Sequence, residues 1–318
     1  MKVALVVNRS AGALLGRPDP AEEIAEKLAA AGFEVGAVSD GDASDIVERM
    51  ERARDLPVDA LVTAGGDGTV AAAAQLLAGT DKALAALPFG TMNLLAKDLG
   101  LPLELDAAIA AMAAGETRAI DIGEVNGHVF LCNSMLGLPS RLAERRERSR
   151  EHMGALGWWR LFAAGLKGLY RYPPMRIGLD LGEGPTALRS KAIVVANNAY
   201  DEGFGHVLTR SHLDRGELVL YATRRLSVWP LVRLSVRMAL GTWTKDVDLE
   251  THHVRALQVT SRRRLLRVMN DGETMLLKPP LHYAIRPLAL KVLAPRLASA
   301  AAPGGAAPAV REPAEGAA

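Results

Sequence analysis

Apolar residues come in short unbroken blocks over the first third of the chain, separated by stretches with helical spacing. Lys2–Val7 is one such block, the pattern of a strand buried on both faces in a parallel sheet. It ends in a polar turn, Asn8-Arg9-Ser10-Ala11-Gly12. Pro20–Ala31 carries Ile24 and Leu28 on one face and charges on the other, which predicts a helix stopped by Gly32. Phe33–Val38 reads as a second strand. Asp45–Arg54 reads as a second helix with Ser44 or Asp42 as its cap. Asp59–Thr63 and Ala83–Leu87 are the third and fourth strands, with helices over Val70–Leu77, Leu94–Leu99 and Leu103–Ala114. Strands alternating with helices predict a doubly wound α/β domain, whose ligands sit at the carboxyl ends of its strands.

The pattern changes near Arg118. Ala119–Gly123 and His128–Asn133 read as strands joined at an Asn126-Gly127 turn. Further strands are expected over Arg176–Leu181, Ala192–Asn197, Glu217–Thr223, Ala256–Ser261, Leu265–Asn270 and Pro279–Ile285. Strand after strand with short turns predicts an antiparallel β-sandwich or barrel. Two helical insertions interrupt it, roughly Leu138–Tyr172 and Ser227–Gly241. Both mix tryptophan and aliphatic residues with arginine. That mixture suits a membrane interface, and equally a core helix with a solvated basic face. Arg286–Leu293 is expected to return to the first domain. The expected division is therefore 1–118 completed by 286–297, then 119–285, then a tail over 298–318. The tail is mostly alanine, proline and glycine and cannot bury enough surface to stay ordered.

Composition narrows the function classes. The 318 residues are 49% hydrophobic, enough for two ordinary domains. A net charge of +2 gives no footprint for nucleic acid. The single cysteine, Cys132, excludes an internal disulfide framework and fits a reducing compartment. The N-terminal apolar run is too short for a signal peptide, and no stretch reaches the roughly 18 uncharged apolar residues of a spanning helix. The expectation is a soluble, cytoplasmic protein able to touch a membrane surface.

The chemistry concentrates in loops that follow strands. Gly65-Gly66-Asp67-Gly68-Thr69 lies between the third strand and its helix. Its glycines let the backbone approach a ligand, and the helix behind it aims free N–H groups into the turn. This describes a phosphate cradle with one carboxylate, Asp67, placed to face a phosphate-bound Mg²⁺. The Walker pattern and GxGxxG are both absent here. Pro88-Phe89-Gly90-Thr91-Met92-Asn93 repeats the device after the fourth strand, and Asn8–Gly12 gathers on the same edge. Asp271-Gly272-Glu273 ends a late strand; alone it reads as a hairpin turn. His206, His212, His252 and His253 lack metal-ligand spacing and read as structural or exposed. Arg262-Arg263-Arg264 reads as a solvated turn, with anionic headgroup binding as the alternative.

These residues resemble the diacylglycerol kinase catalytic-domain superfamily, which includes soluble bacterial lipid kinases, sphingosine kinases and ceramide kinases. The resemblance runs from Met1 to about Pro295. It is carried by Asn8–Gly12, Gly65–Thr69, Pro88–Asn93 with its LAKDLGLP continuation, Ile120–Gly123, Asp271–Glu273 and Arg286–Leu290. It implies an α/β nucleotide domain, a β-sandwich domain, and ATP in the cleft between them. On this reading Asn8, Arg9, Ser10, Ala11, Gly12, Gly65, Gly66, Asp67, Gly68, Thr69, Gly90, Thr91 and Asn93 hold the nucleotide. Asp67 and Asp121 lie near Mg²⁺. Asp271 and Glu273 are the candidate proton acceptors, with Asp271 favoured. The implied partners are a lipid substrate and the inner membrane face, and a homodimer is an open option.

The chain also departs from the family pattern. Ala71 and Ala72 stand where an Asn-Glu pair often follows GGDGT, and Leu94 where an Asp often follows GTxN. In the Asp-Gly turn that binds a structural metal in some relatives, Arg215 takes a ligand's place, and its guanidinium is expected to replace the metal's charge. Two other functions fit the same residues: a nucleotide-binding regulator without turnover, and a soluble kinase resembling NAD kinases, which also use a GGDG loop.

Overall fold

A computed structural model describes residues 1–137, 173–201, 209–224 and 228–296. The first expected insertion, His206 and the 298–318 tail lie outside the described residues. The chain opens with β1 (Lys2–Asn8), α1 (Pro20–Ala30), β2 (Glu34–Gly41), α2 (Ile46–Arg54), β3 (Ala60–Gly65), α3 (Asp67–Leu77), β4 (Ala83–Pro88), α4 (Leu94–Asp98) and α5 (Leu105–Ala113). The β1 strand pairs in parallel with β2 and β3, and β3 with β4. All six β3 residues are buried, as expected for a strand covered by helices on both faces. Val6, Leu28, Met50, Leu61, Leu77, Leu84 and Met112 belong to one core that joins this sheet to α1, α2, α3 and α5.

The second part contains β5 (Glu116–Val125), β6 (His128–Phe130), β7 (Asn133–Gly137), β8 (Met175–Asp180), β9 (Pro185–Ser190), β10 (Ala192–Asn197) and β11 (Leu218–Thr223). It continues with α6 (Val228–Ala239), β12 (Leu249–Val254), β13 (Ala256–Thr260), β14 (Leu266–Asn270), β15 (Glu273–Leu277) and β16 (Leu281–Ala294). One sheet, ordered β12-β11-β10-β7-β14-β15, is antiparallel throughout. It packs against β8, β13 and the start of β16 through Ile193, Val195, Leu218, Leu220, Ile177, Leu257, Val259 and Tyr283. The two faces form the expected sandwich.

The two halves share one sheet. The 14-residue β16 pairs antiparallel with β13 at its start and parallel with β4 at Lys291 and Val292. It also runs antiparallel to β5 along its length, with an irregularity between Arg286 and Leu290. The first sheet therefore extends from β2 to β9 across both halves. The sequence reading ends this strand at Ile285; Arg286 and Pro287 mask its continuation. It also omits β9, β12 and β15, whose half-exposed residues give weak alternation.

Within the second expected insertion, α6 is a helix whose Leu234 and Met238 pack on Tyr200, Tyr221 and Trp243. Its Arg233 makes a forked pair with Asp246 (2.8 Å) and reaches Asp248 (2.6 Å). His252 and His253 are adjacent on β12, and His253 Nδ1 lies 2.9 Å from Glu217. Among the described residues, no group of three or more histidine, cysteine or carboxylate side chains could hold a metal ion. No described helix is long and apolar enough to cross a membrane.

Candidate active site in the interdomain cleft

A cleft of about 680 Å³ opens between the carboxyl edge of the parallel strands and the β6–β7 and β14–β15 turns. Its first wall includes Asn8, Ser10, Ala11, Gly12, Gly66, Asp67, Gly68, Thr69, Gly90 and Thr91. Its second includes Cys132, Asn133, Tyr200, Asp271 and Glu273. Arg9, Gly65, Asn93 and Asp121 do not line it.

The helix after β3 starts at Asp67, earlier than its composition suggests, so Asp67, Gly68 and Thr69 form its first turn. Their N–H groups have no partner one turn back and point toward the cleft end of the helix. Asn8 ties the first loop down. Its amide donates to Thr69 Oγ1 at 2.8 Å, and its Oδ1 accepts from the Ser10 N–H at 3.1 Å. Gly65 supports that contact from below: a Cβ there would meet the Thr69 side chain at 2.5–2.6 Å. Arg9 turns away to pair with Asp40.

Asp67 spends its carboxylate on the neighbouring loop. Oδ1 accepts from Leu94 N–H at 2.8 Å, and Oδ2 from Asn93 N–H at 3.1 Å and Met92 N–H at 3.3 Å. Gly90 permits the close approach, because a Cβ there would sit 3.0 Å from Asp67 Oδ2 and 2.9 Å from Asn93 Oδ1. Asn93, at φ 48°, returns its Oδ1 to the Gly90 N–H at 2.7 Å. Asn93 thus shapes the Thr91 loop from behind.

Asp271 is buried, and its carboxylate accepts three backbone N–H groups: Leu131 at 2.6 Å, Cys132 at 2.8 Å and Asn133 at 2.9 Å. Burial pushes its carboxyl above the ordinary range, opposed by those hydrogen bonds. Glu273 differs: it is exposed at the cleft and leans on the opposite wall. A Cβ on Gly68 would lie 2.6 Å from Glu273 Oε1. The two expected acids therefore have different surroundings, and only Glu273 reaches across.

Asp121 departs from the expectation of a place near Mg²⁺. It is fully buried outside the cleft, where Oδ1 accepts from Leu288 N–H (2.8 Å) and Oδ2 from Gly216 N–H (2.6 Å). It closes the turn that holds Arg215 onto the β16 irregularity. Arg215 itself is exposed, and backbone N–H groups rather than its guanidinium answer the Asp121 charge. A carboxylate two residues into an apolar strand gives no sequence signal that separates these two roles.

Two residues absent from the sequence expectations complete the cleft floor. Asp98, at the end of α4, lines the cleft and pairs with the buried Arg210. Arg210 also donates to the carbonyls of Leu131 (2.8 Å) and Asn197 (2.5 Å) and lies 3.1 Å from Cys132 Sγ. Burial pushes both the Asp98 carboxyl and the Cys132 thiol up, against the pull of Arg210. Asp98 is one helical turn beyond Leu94, a spacing that could have found it. Arg210 has no local signal.

Comparison with known proteins now decides the family. Residues 2–125 match the diacylglycerol kinase catalytic domain, and residues 134–294 match the YegS C-terminal NAD kinase beta sandwich-like domain. A diacylglycerol kinase of Mycobacterium tuberculosis is 30% identical over 271 residues, covering 83% of this chain and 86% of that protein. The chain belongs to the diacylglycerol kinase catalytic-domain superfamily. A Staphylococcus saprophyticus diacylglycerol kinase in the same superfamily is 23% identical over 241 residues, 74% of this chain and 77% of that protein. The fold agrees with the crystal structure of a diacylglycerol kinase from Bacillus anthracis. The TM-score is 0.66 at 18% identity, over 92% of this chain and 96% of that one. Membership makes the chain a lipid kinase-type phosphotransferase.

Proposed function

We propose that this chain transfers the γ-phosphoryl group of ATP to the hydroxyl of a lipid, with the nucleotide in the interdomain cleft as its Mg²⁺ complex. One observation carries the reading. Asp67, Asp271 and Glu273 line the cleft, Asp98 beside them is paired with Arg210, and no lysine or arginine is among the described lining residues. A bare triphosphate would meet net repulsion there, so its charge must be carried in by a cation. The donor set fits that role. Mg²⁺ is bound by one or two carboxylates together with substrate phosphates, without a preformed protein cage. Asp67 is the carboxylate nearest the cradle. When bound, Mg²⁺ would neutralise charge on the phosphates.

The residues then divide as follows. The N–H groups of the first turn of α3 hold the phosphates, with Thr91 lining the cleft beside them. The lipid hydroxyl oxygen forms the new bond to the γ-phosphorus as the bond to ADP breaks. Its proton passes to Glu273, which supplies general-base catalysis without further covalent chemistry. Glu273 is preferred to Asp271 because it is exposed at the cleft and reaches across to Gly68, whereas Asp271 is buried and holds its own wall. Asp271 fixes the 131–133 segment that forms the opposite wall.

The lipid acceptor is reached at a membrane surface. On α6, Trp229 is 74% exposed, with Val232 and Val236 also exposed at helical spacing and Leu240 exposed just past the helix end. That stripe suits insertion at an interface. The test is labelled ATP with a total lipid extract, beside NAD and no-acceptor controls, resolved by thin-layer chromatography. A labelled lipid dependent on Mg²⁺ is expected. Label in NAD alone, or ATP binding without any labelled product, would overturn the proposal.

A further inference from the structure

We infer that Asp98 and Arg210 form a positioning pair, which holds the two walls of the cleft in the register that catalysis needs. The inference rests on the kinase reading for its consequence, and on geometry for its mechanism.

Hydrogen bonds connect the acids of the two walls without interruption. Asp67 accepts the N–H groups of Met92, Asn93 and Leu94, which fixes the start of α4. The helix is only five residues long, so its other end is Asp98. Asp98 pairs with Arg210, and both side chains are nearly inaccessible, at 7% and 1% exposure. The other guanidinium nitrogen holds the Leu131 and Asn197 carbonyls. The N–H groups of Leu131, Cys132 and Asn133 then hold Asp271. Arg210 and Asp271 thus grip one backbone segment from its carbonyl and amide sides. Asn197 adds a brace, its amide donating to Leu131 O (2.8 Å) and Asp121 O (2.9 Å).

The pair joins the halves apart from the covalent route through β5 and β16. That route carries a pairing irregularity between Arg286 and Leu290. A shared sheet with a local break can twist; Gln75 of α3 ties the halves at Gly127 O (3.3 Å) and Val129 N–H (2.7 Å), and the Asp98–Arg210 pair limits the twist at the cleft floor. A planar guanidinium suits the task, since it meets a carboxylate and two carbonyls in fixed directions. Asp98 and Arg210 act through the loops they hold and need not touch substrate.

The test uses the full chain with Asp98→Ala, Asp98→Asn and Arg210→Lys. Spin labels on Glu26→Cys and Thr186→Cys, exposed positions in opposite halves, report the interdomain distance. Cys132 is buried and its thiol is held protonated, so it stays unlabelled. Asp98→Ala is expected to broaden the distance distribution, and Asp98→Asn, which keeps an oxygen for Arg210, to broaden it less. Turnover with lipid acceptor should fall by on the order of 10²-fold in Asp98→Ala and less in Asp98→Asn. The dissociation constant of Mg·ATP should change by less than about threefold, because the cradle residues are untouched. Unchanged distances would overturn the inference, as would unchanged turnover beside broadened distances. If Asp98→Ala fails to fold, Asp98→Asn and Arg210→Lys carry the same readings. If the wild type labels no lipid, the kinase reading falls, and the distance measurement decides this inference by itself.

Discussion

Replacing Gly68 with alanine separates stability from turnover at a single methyl group. Gly68 is the second residue of α3, where alanine is the better helix former by up to ~1 kcal/mol. The new Cβ would lie 2.6 Å from Glu273 Oε1, 3.2 Å from Cδ and 3.5 Å from Cγ. The crowded atoms are the far end of a flexible side chain, so the carboxylate yields rather than the backbone. To reach an ordinary contact of 3.4 Å from 2.6 Å it must retreat by about 0.8 Å. Misplacement of a catalytic group by about 1 Å costs up to ~10²-fold in rate, or roughly 2.7 kcal/mol. Gly68→Ala should therefore melt at or above the wild-type temperature while kcat for lipid phosphorylation falls 10- to 100-fold (an order-of-magnitude range). Steady-state kinetics in mixed micelles, thermal unfolding and calorimetric Mg·ATP binding measure the three quantities. The same substitution on a Glu273→Gln background isolates the route, since residues acting together are not additive. There it should cost less than about threefold. Wild-type turnover in a folded Gly68→Ala protein would refute the placement of Glu273. A full-sized loss on the Glu273→Gln background would show that the methyl group acts on the phosphates instead.

Glu273→Gln should lower kcat by ~10²–10⁴-fold with little change in unfolding temperature. Asp271→Asn turns an amide toward three N–H donors and should cost about 2–4 kcal/mol of stability in denaturant unfolding. Gly65→Ala forces the Thr69 side chain out of its contact with Asn8, and is expected to destabilise by ~1–3 kcal/mol and weaken nucleotide binding. Chelation of divalent cations should abolish nucleotide binding as well as turnover, measured by equilibrium dialysis with labelled ATP. For Asp246, hydrogen bonding to Arg233 holds the carboxyl below its usual value. A depressed folded value adds stability above the unfolded pKa and loses it as pH falls through the folded one. Wild-type unfolding temperature should therefore drop below about pH 4, and Asp246→Asn should flatten that acid limb.

The alternating first half was legible because its strands are buried on both faces and its helices carry one apolar stripe. Each of these patterns is local. The continuation of β16 was not legible, because Arg286 and Pro287 look like a boundary. The physical reason for its persistence is the antiparallel partner β5, far away in sequence, as the pairing of Lys291 with Ala119 and of Ala284 with Glu124 illustrates. The glycine loops were visible as a cradle, because glycine spacing reports where backbone must come close. The roles of the carboxylates were not. Asp67, Asp121, Asp271 and Glu273 all read as acids next to turns, yet Asp67, Asp121 and Asp271 each accept backbone N–H groups from a different segment. Which N–H groups surround a carboxylate is a tertiary property, and sequence spacing does not encode it.

The missing acids have a physical explanation in what replaced them. Leu94 and Ala72 are half-buried and pack on the first-domain core, so neither position is vacant for a charge. Leu94 still gives its N–H to Asp67, which keeps the loop geometry while dropping one negative charge from the cleft edge. Asp98 stands one helical turn deeper, where it faces Arg210 and burial raises its pKa. A chain built this way should tolerate Leu94→Asp poorly, because the new carboxylate would enter a packed apolar contact beside Asp67 and repel it.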